Sequence, residues 1–387
     1  MAHLTKPTTY DIKDSNIALL GSDLEKRVRE AAGDKESAWT DAGTAVGIQV
    51  WRIEQFKVVA WPKDKLGSFY DGDSYIVLNT YKKTPDAQTL SYDLHFWLGE
   101  NTSQDEAGTA AYKTVELDDH LHGVPVQYRE VQGFESTRFL SYFPHFVCRH
   151  GGVASGFHHV TAEPVQNVRK LYVIKLSKHN NHTSLVVRQV AATAESLVEG
   201  DVYVLEKGAD VAWQFNTKTS PHQERYRAAE FADTLVSSPN HKKVFDEGDS
   251  GAGAFLAEFG KDTHVSPARA APPAAAPPVV FRLSDAGGQV TFAPVESSAS
   301  ASLSAADAFL LDNSRDPAHP AIYVWIGSGA SLAEQRLAPQ YAQRYLHERL
   351  AAGEVRAHGA ATSIVMMREG HESPAFVPVL KAWGGHA

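Results

Sequence analysis

Residues 72–80 read GDSYIVLNT, an aspartate entering an apolar, β-rich run. The pattern returns as GDVYVLEKG at 200–208 and, more weakly, as ADAFLLDNS at 306–314. Each copy is followed by a second buried-strand signal: HFWLGE at 95–100, VAWQFN at 211–216 and IYVWIG at 322–327. Each then enters an Ala-rich helical stretch with an early glutamate: QDEAGTAAY, QERYRAAEFA and AEQRLAPQYA. Each is preceded by a short strand carrying an arginine: VWRIEQFKV, VRKLYVIKL and VVFRLSDAG. Asp73, Asp201 and Asp307 stand about 128 and 106 residues apart. That spacing exceeds a solenoid unit of about 20–50 residues, so the repeat is a whole module. One Asp and one Glu at matching places in three modules suggest three related metal sites rather than one catalytic centre.

The chain has 387 residues, enough for about three domains of roughly 100–150 residues. The boundaries expected are an N-terminal extension at 1–45, modules at 46–160 and 166–262, a Pro/Ala-rich linker at 263–278, and a third module at 279–387. The extension includes a helical stretch, SDLEKRVREAA. The linker, within VSPARAAPPAAAPPVV, has no core of its own and should be semi-extended. Strands flanking a helix in each module predict an α+β fold, a mixed sheet covered by helices. No run of about 18 apolar residues predicts a membrane span. The opening residues lack an apolar signal core. A single cysteine, Cys148, cannot close an internal disulfide, and these features together lead us to expect a reducing, cytoplasmic setting. A net charge of −9 argues against nucleic acid as a partner.

The acidic pairs have two compatible explanations. Calcium takes six to eight hard oxygen ligands, and an Asp entering a strand could meet a Glu opening a helix. The gaps from Asp73 to Glu106, Asp201 to Glu224 and Asp307 to Glu334 differ, which puts the insertions in loops. Helix capping explains the same glutamates without a metal: Ser103…Glu106 and Ser331…Glu334 match a capping box, and Ser220-Pro221 offers a cap and a first-turn proline. The helix from about Ser103 to Leu121 carries a second signal. Ala107, Ala110, Ala111, Thr114, Leu117 and Leu121 should face the sheet. Thr109, Tyr112 and Val115 form another stripe, which suggests a partner-docking face in a hydrophobic groove unless a neighbouring module or the extension covers it. Asp118 and Asp119 at the negative end of its dipole call for a nearby cation. Cys148-Arg149-His150 invites comparison with a thiol hydrolase, but a lone cysteine in an apolar stretch is usually a small core residue. No phosphate-cradling loop, zinc-protease helix or G-x-S-x-G elbow is present.

Taken together, GDSYIVLNT, YDLHFWLGENTSQDEAGTAAYKTVELDDHLHG, VQYREVQGFESTRFLSYF and GGVASGFHHV resemble the first domain of the gelsolin superfamily, and the three-module length resembles its severin and fragmin branch. The resemblance implies domains in which a mixed sheet lies between a long and a short helix. It implies a non-enzymatic, calcium-regulated cytoskeletal protein that severs actin filaments and caps their barbed ends; capping or monomer sequestering without severing is the alternative. It implies calcium held by the Gly72 carbonyl, Asp73, Glu106 and the Val153 carbonyl. It implies a second ion at Asp118 with the carbonyls of Gly123 and Pro125, shared with actin. Gly200, Asp201 and Glu224, and Ala306, Asp307 and Glu334, match the later sites. A third carboxylate for the middle site is unplaced, with Asp262 as a candidate. Tyr112 and Val115 would enter an actin cleft, with Arg169, Lys170 and Arg188 as contacts to the filament side. The stretch before GGV, HFVCRHGG, is thin in lysine, so phosphoinositide binding is expected to be weakened.

Overall fold

Along SYIVLNTY the apolar side chains are consecutive. Successive residues of a strand point to opposite faces, so such a strand must be buried on both. That requirement organises the whole molecule. The structure, a computed structural model, describes residues 36–153, 169–208, 210–268, 276–296, 302–316, 320–351 and 362–384. The helical stretch expected at 22–32 and residues 269–275 of the Pro/Ala spacer lie outside the described residues.

The first repeat contains β1 (Gly47–Glu54), β2 (Lys57–Ala60), β3 (Ser68–Tyr70), β4 (Ser74–Tyr81), β5 (Ser91–Leu98), α1 (Gln104–His120), β6 (Val126–Val131), α2 (Thr137–Ser141) and β7 (His145–Arg149). The second contains β8 (Arg169–His179), β9 (His182–Val190), β10 (Val202–Lys207), β11 (Ala212–Asn216), α3 (His222–Asp233), β12 (Lys242–Asp246) and α4 (Ala252–Leu256). The third contains β13 (Val279–Ser284), β14 (Thr291–Val295), β15 (Ala308–Asp312), β16 (Ala321–Ile326), α5 (Leu332–Ala351), β17 (Ser363–Arg368) and α6 (Phe376–Trp383).

Strand order is the same in each: β2-β1-β4-β5-β6, β9-β8-β10-β11-β12 and β14-β13-β15-β16-β17. The last pair is parallel each time, because a helix must cross over between them. Each sheet lies between its long and its short helix, the α+β sandwich that the resemblance implied. In the first repeat Ile76 and Leu78 pack toward α1 with Ala110 and Leu117, while Tyr75 and Val77 pack toward α2 with Phe139 and Leu140. The second and third repeats show the same two-sided cores.

The repeats do not fold as beads. β17 pairs antiparallel with β6, fusing the first and third sheets into ten strands. β7 leaves its own sheet and pairs with β9, so that β7 and β3 complete a seven-stranded sheet with the second repeat. Linear boundaries miss this exchange. They also miss Trp39: the segment read as an extension buries Trp39 and Ala42 in the α1-side core. Removing an indole from such a site typically costs about 3–5 kcal/mol. At the far end, Val265 packs on the second repeat's core and Ser266 bridges to Val198, so the start of the Pro/Ala linker is held there.

Candidate metal centres and docking face

Two backbone hydrogen bonds place each of the three aspartates in the same way. The N–H of Asp73, Asp201 and Asp307 donates to the carbonyl three residues back, on Tyr70, Val198 and Ser304. Each Asp carbonyl accepts from the residue just past the next strand, Gly99, Thr217 or Gly327, at 3.0, 3.3 and 3.1 Å. In the first two repeats the aspartate's charge is felt by the glutamate in the first turn of the long helix. There Glu106, Glu224 and Glu334 are all buried, at 3%, 7% and 1% exposure.

The first site is built by glycines. A Cβ on Gly72 would lie 2.6 Å from the Gly151 carbonyl oxygen, and one on Gly152 would lie 2.5 Å from Oδ1 of Asp73. Their absence lets the loop close until the Val153 N–H donates to Asp73 Oδ1 at 2.8 Å. The N–H of Val153 is thus turned to Asp73. Oδ2 of Asp73 accepts from Tyr75 at 3.0 Å and from Arg52 at 3.4 Å. Glu106 is different: its N–H donates to Ser103 Oγ at 3.2 Å, yet neither carboxylate oxygen has a hydrogen-bond partner. Burial, and then the charge of Asp73, pushes its carboxyl up to about 6, against the pull of the Ser103 and Thr102 hydroxyls. Burial also raises Asp73, against the Val153 and Arg52 contacts. A buried carboxylate with no donor is costly. Here the cost falls on a carboxylate close enough to Asp73 to feel its charge, and two hard oxygen donors of this kind suit a calcium ion.

The other two sites satisfy themselves to increasing degrees. In the second, Glu224 Oε1 accepts from the Leu176 N–H at 3.1 Å and Oε2 has no partner. Burial raises this carboxyl. Asp201 is paired with Lys175. Asp262, the candidate third carboxylate, is exposed on the loop after α4. In the third, Glu334 spends both oxygens on backbone N–H groups, from Asp285 at 2.8 Å and Ser331 at 2.9 Å. The Ser331 hydroxyl accepts from the Glu334 N–H in return, a complete capping box. Burial works to raise Asp307, but hydrogen bonds from Ser284 and Arg282 outweigh it and hold the group below its ordinary range. Arg282 lies 2.7 Å from its Oδ2. A basic side chain from the first strand therefore meets each aspartate: Arg52, Lys175 and Arg282. In the middle repeat it is Lys175, while Arg169 of the same strand lies by Glu258. Among the described residues no three His, Cys, Asp or Glu side chains converge, so any ligand set here draws on backbone oxygens as well.

The capping expected of Ser220 does not form. Pro221 takes the cap position of α3, and the Ser220 hydroxyl donates to the Thr217 carbonyl at 2.7 Å.

On α1 the inner face is Ala110, Thr114 and Leu117, as the spacing predicted, while Ala107 and Ala111 are only half-buried. Glu116, which periodicity assigned to neither face, is buried beneath Trp39 and Lys113, whose N–H groups donate to its Oε1 at 3.1 and 3.0 Å. On the outer face Thr109 is half-buried and its hydroxyl donates to the Asp105 carbonyl. Tyr112 is 49% exposed. Val115 is half-buried, lining a cavity of about 240 Å³ opposite Leu332, Gln335, Arg336 and Pro339 of α5. Asp118, Asp119 and Pro125 line the same cavity, and Gly123 closes the helix at φ 70°. Of the basic candidates, Arg169 is 3.6 Å from Glu258 and Lys170 is 3.3 Å from Glu206. Arg188 is 2.5 Å from the buried Glu135 of the first repeat, where it joins the two repeats. Cys148 is buried in the α2-side core, and burial pushes its thiol up, away from the thiolate that a nucleophile needs.

The family model described as Gelsolin repeat matches residues 56–140 and 290–377. The middle repeat shares their strand order and its Asp–Glu pair. Gelsolin-like protein 1 of Lumbricus terrestris is 39% identical over 84% of this chain and 87% of its own length. Gelsolin-like protein 2 of the same organism is 37% identical, over 89% and 92%. Severin of Echinococcus granulosus is 35% identical, also over 89% and 92%. Shared topology, repeated acidic pairs and end-to-end similarity of this extent make the chain a member of the gelsolin family.

Proposed function

We propose that this protein binds actin, severs its filaments and caps their barbed ends under the control of calcium. The observation that carries the reading is that one helix holds both halves of the device. The N-terminus of α1 bears Glu106, buried against Asp73 without a donor. Its outer face bears Tyr112, open to solvent, and Val115, covered by the third repeat. Relatives named severin and gelsolin support the same reading.

A calcium ion between Asp73 and Glu106 would supply the positive charge that this pair lacks, and any state in which the pair closes on it is favoured over the others. The chain's own residues do the rest. Glu106 gives up its proton to act as a ligand. β17 separates from β6, and α5 withdraws from Val115. Tyr112 and Val115, three residues apart on one helical face, can then enter an apolar cleft on the partner. Arg169 and Lys170, on the first strand of the second repeat, attach it to the filament side. Glu334, already committed to capping, makes the third site the weakest of the three. Relatives named severin and cytoplasmic gelsolin lead us to place the protein on the cytoplasmic cytoskeleton. Phosphoinositide binding would fall to Arg169, Lys170, Lys175 and Lys178, and should be weak.

Pyrene-labelled actin tests the reading. With calcium, the protein should accelerate depolymerisation of preformed filaments and block barbed-end elongation; with chelator it should do neither. Blocked elongation without faster depolymerisation would reduce the function to capping. No effect on actin in either condition would overturn it.

A further inference from the structure

The first and third repeats treat one arginine in opposite ways. Arg52 and Arg282 hold the same place: each lies in the first strand opposite the residue two beyond the aspartate, Tyr75 or Phe309. In the third repeat the arginine goes to the aspartate. Arg282 lies 2.7 Å from Asp307 Oδ2, and Ser284, two residues on, hydrogen-bonds to the same carboxylate. In the first repeat the residue two on is Glu54, and Glu54 takes the arginine. Arg52 Nε donates to Glu54 Oε1 at 2.7 Å, and Nη2 donates to the same oxygen. The guanidinium also lies over the Trp61 ring, 4.7 Å from its centroid. Asp73 is met by Nη1, at 3.4 Å from Oδ2, well beyond the roughly 2.7–2.9 Å of a charge-assisted hydrogen bond. The two aspartates differ accordingly. Burial pulls both upward; it prevails at Asp73 and is outweighed at Asp307 by Ser284 and Arg282.

We propose that Glu54 is a positioning residue for the first calcium site: by holding the Arg52 guanidinium it keeps Asp73 open to a divalent cation. An arginine keeps its charge at any pH the protein meets, and two cations a few ångströms apart repel strongly where water is scarce. Glu54 offsets that charge and takes up the donors that would otherwise close on Asp73. Ser284, at the corresponding place, carries no charge and leaves Arg282 on Asp307. The first site is thereby set to fill before the third. The proposal rests on the calcium reading above and adds to it the residue that sets the order.

The test uses the whole chain without actin. Calorimetry reads calcium binding, with Glu106→Gln marking the step that belongs to the first site, and small-angle scattering along the titration reads the compact-to-open midpoint. Glu54→Ser, which copies the third repeat, should weaken calcium binding at the first site about three- to tenfold and raise the midpoint by a similar factor. Loss of a nearby negative charge would weaken binding on its own, and the Arg52→Gln background separates the two causes. There Glu54→Ser should change affinity and midpoint little; an equal loss in both backgrounds overturns the proposal. A crystal structure of Glu54→Ser grown in chelator reads the cause directly. The Arg52–Asp73 contact should close from 3.4 Å to about 2.8 Å, and a guanidinium that keeps its present distance overturns the proposal. If the unmodified chain binds no calcium at the first site, the calcium reading fails instead, and the structure in chelator still judges Glu54.

Discussion

Glu106, Glu224 and Glu334 begin their helices in the same way, yet they meet different donors. In the second and third repeats a backbone N–H reaches the glutamate, from Leu176 within the first strand or from Asp285 just past it. In the first, no backbone N–H reaches the Glu106 carboxylate. Glu106→Gln should therefore lower calcium affinity at the first site at least about tenfold, or about 1.4 kcal/mol, while leaving the calcium-free protein no less stable. Calorimetry with unchanged affinity and stoichiometry would reduce Glu106 to a helix cap. The pH dependence follows from the direction of the shift. The carboxyl titrates at about 6 in the folded chain against an ordinary 4.5. The stability gained by keeping its proton is full below about pH 4.5 and is lost as pH rises through about 6. Melting of the calcium-free protein should show that loss, and Glu106→Gln should remove it. Calcium affinity should move the other way, rising over the same range as Glu106 ionises. Cys148→Ala should cost of order 1 kcal/mol in stability and leave severing intact; loss of all activity in a folded variant would reopen the thiol reading.

At the scale of elements, α1 separates two roles that lie three residues apart. Tyr112→Ala touches a half-exposed ring, so it should weaken actin binding by several kcal/mol if the ring is a central anchor and leave the calcium midpoint for opening alone. Val115→Ala should weaken actin binding and also loosen the closed state, because Val115 is covered by α5. Fluorescence titration with labelled actin, read beside the scattering midpoint, distinguishes the two; identical behaviour would mean that both side chains serve only one surface. The caps differ as well. Ser331→Ala breaks a reciprocal box and should cost about 1 kcal/mol of helix stability, without changing calcium affinity at the first site. The helix itself was plain in the sequence, expected at about 103–121 and observed at Gln104–His120. Its periodicity placed Ala110, Thr114 and Leu117 inward, but it gave no hint that Glu116 is buried, because the partner that accepts it is Trp39, 77 residues away.

Over the whole molecule, the ten-stranded sheet makes the third repeat a clamp on the first. A fragment ending at residue 262 lacks β17 and α5, so it should sever actin with much weaker dependence on calcium. A fragment of residues 1–160 should bind monomers and cap but sever poorly, since attachment to the filament side is assigned to the second repeat. Efficient severing by the shorter fragment would disprove that division. The shorter fragment also strips β7 of its partner β9 and leaves Glu135 without Arg188, so it should melt earlier than the longer one.

The triplication, the α+β layers and the three Asp–Glu pairs were all legible along the chain. They depend on local alternation of apolar residues, on turn chemistry and on short-range spacing, and each copy repeats that information. The joining of β6 to β17 and of β7 to β9 was not legible. Those ladders are made by backbone N–H and carbonyl groups, which every strand edge offers alike, and the choice of partner is made by how whole repeats pack. The same holds for the fate of each buried charge. Glu106 was left without a donor, Glu334 was capped, and Arg188 was turned inward to Glu135. Each outcome depends on a group supplied from a distant segment, and only the packed chain brings those groups within a few ångströms, where burial makes a charge depend on its partner.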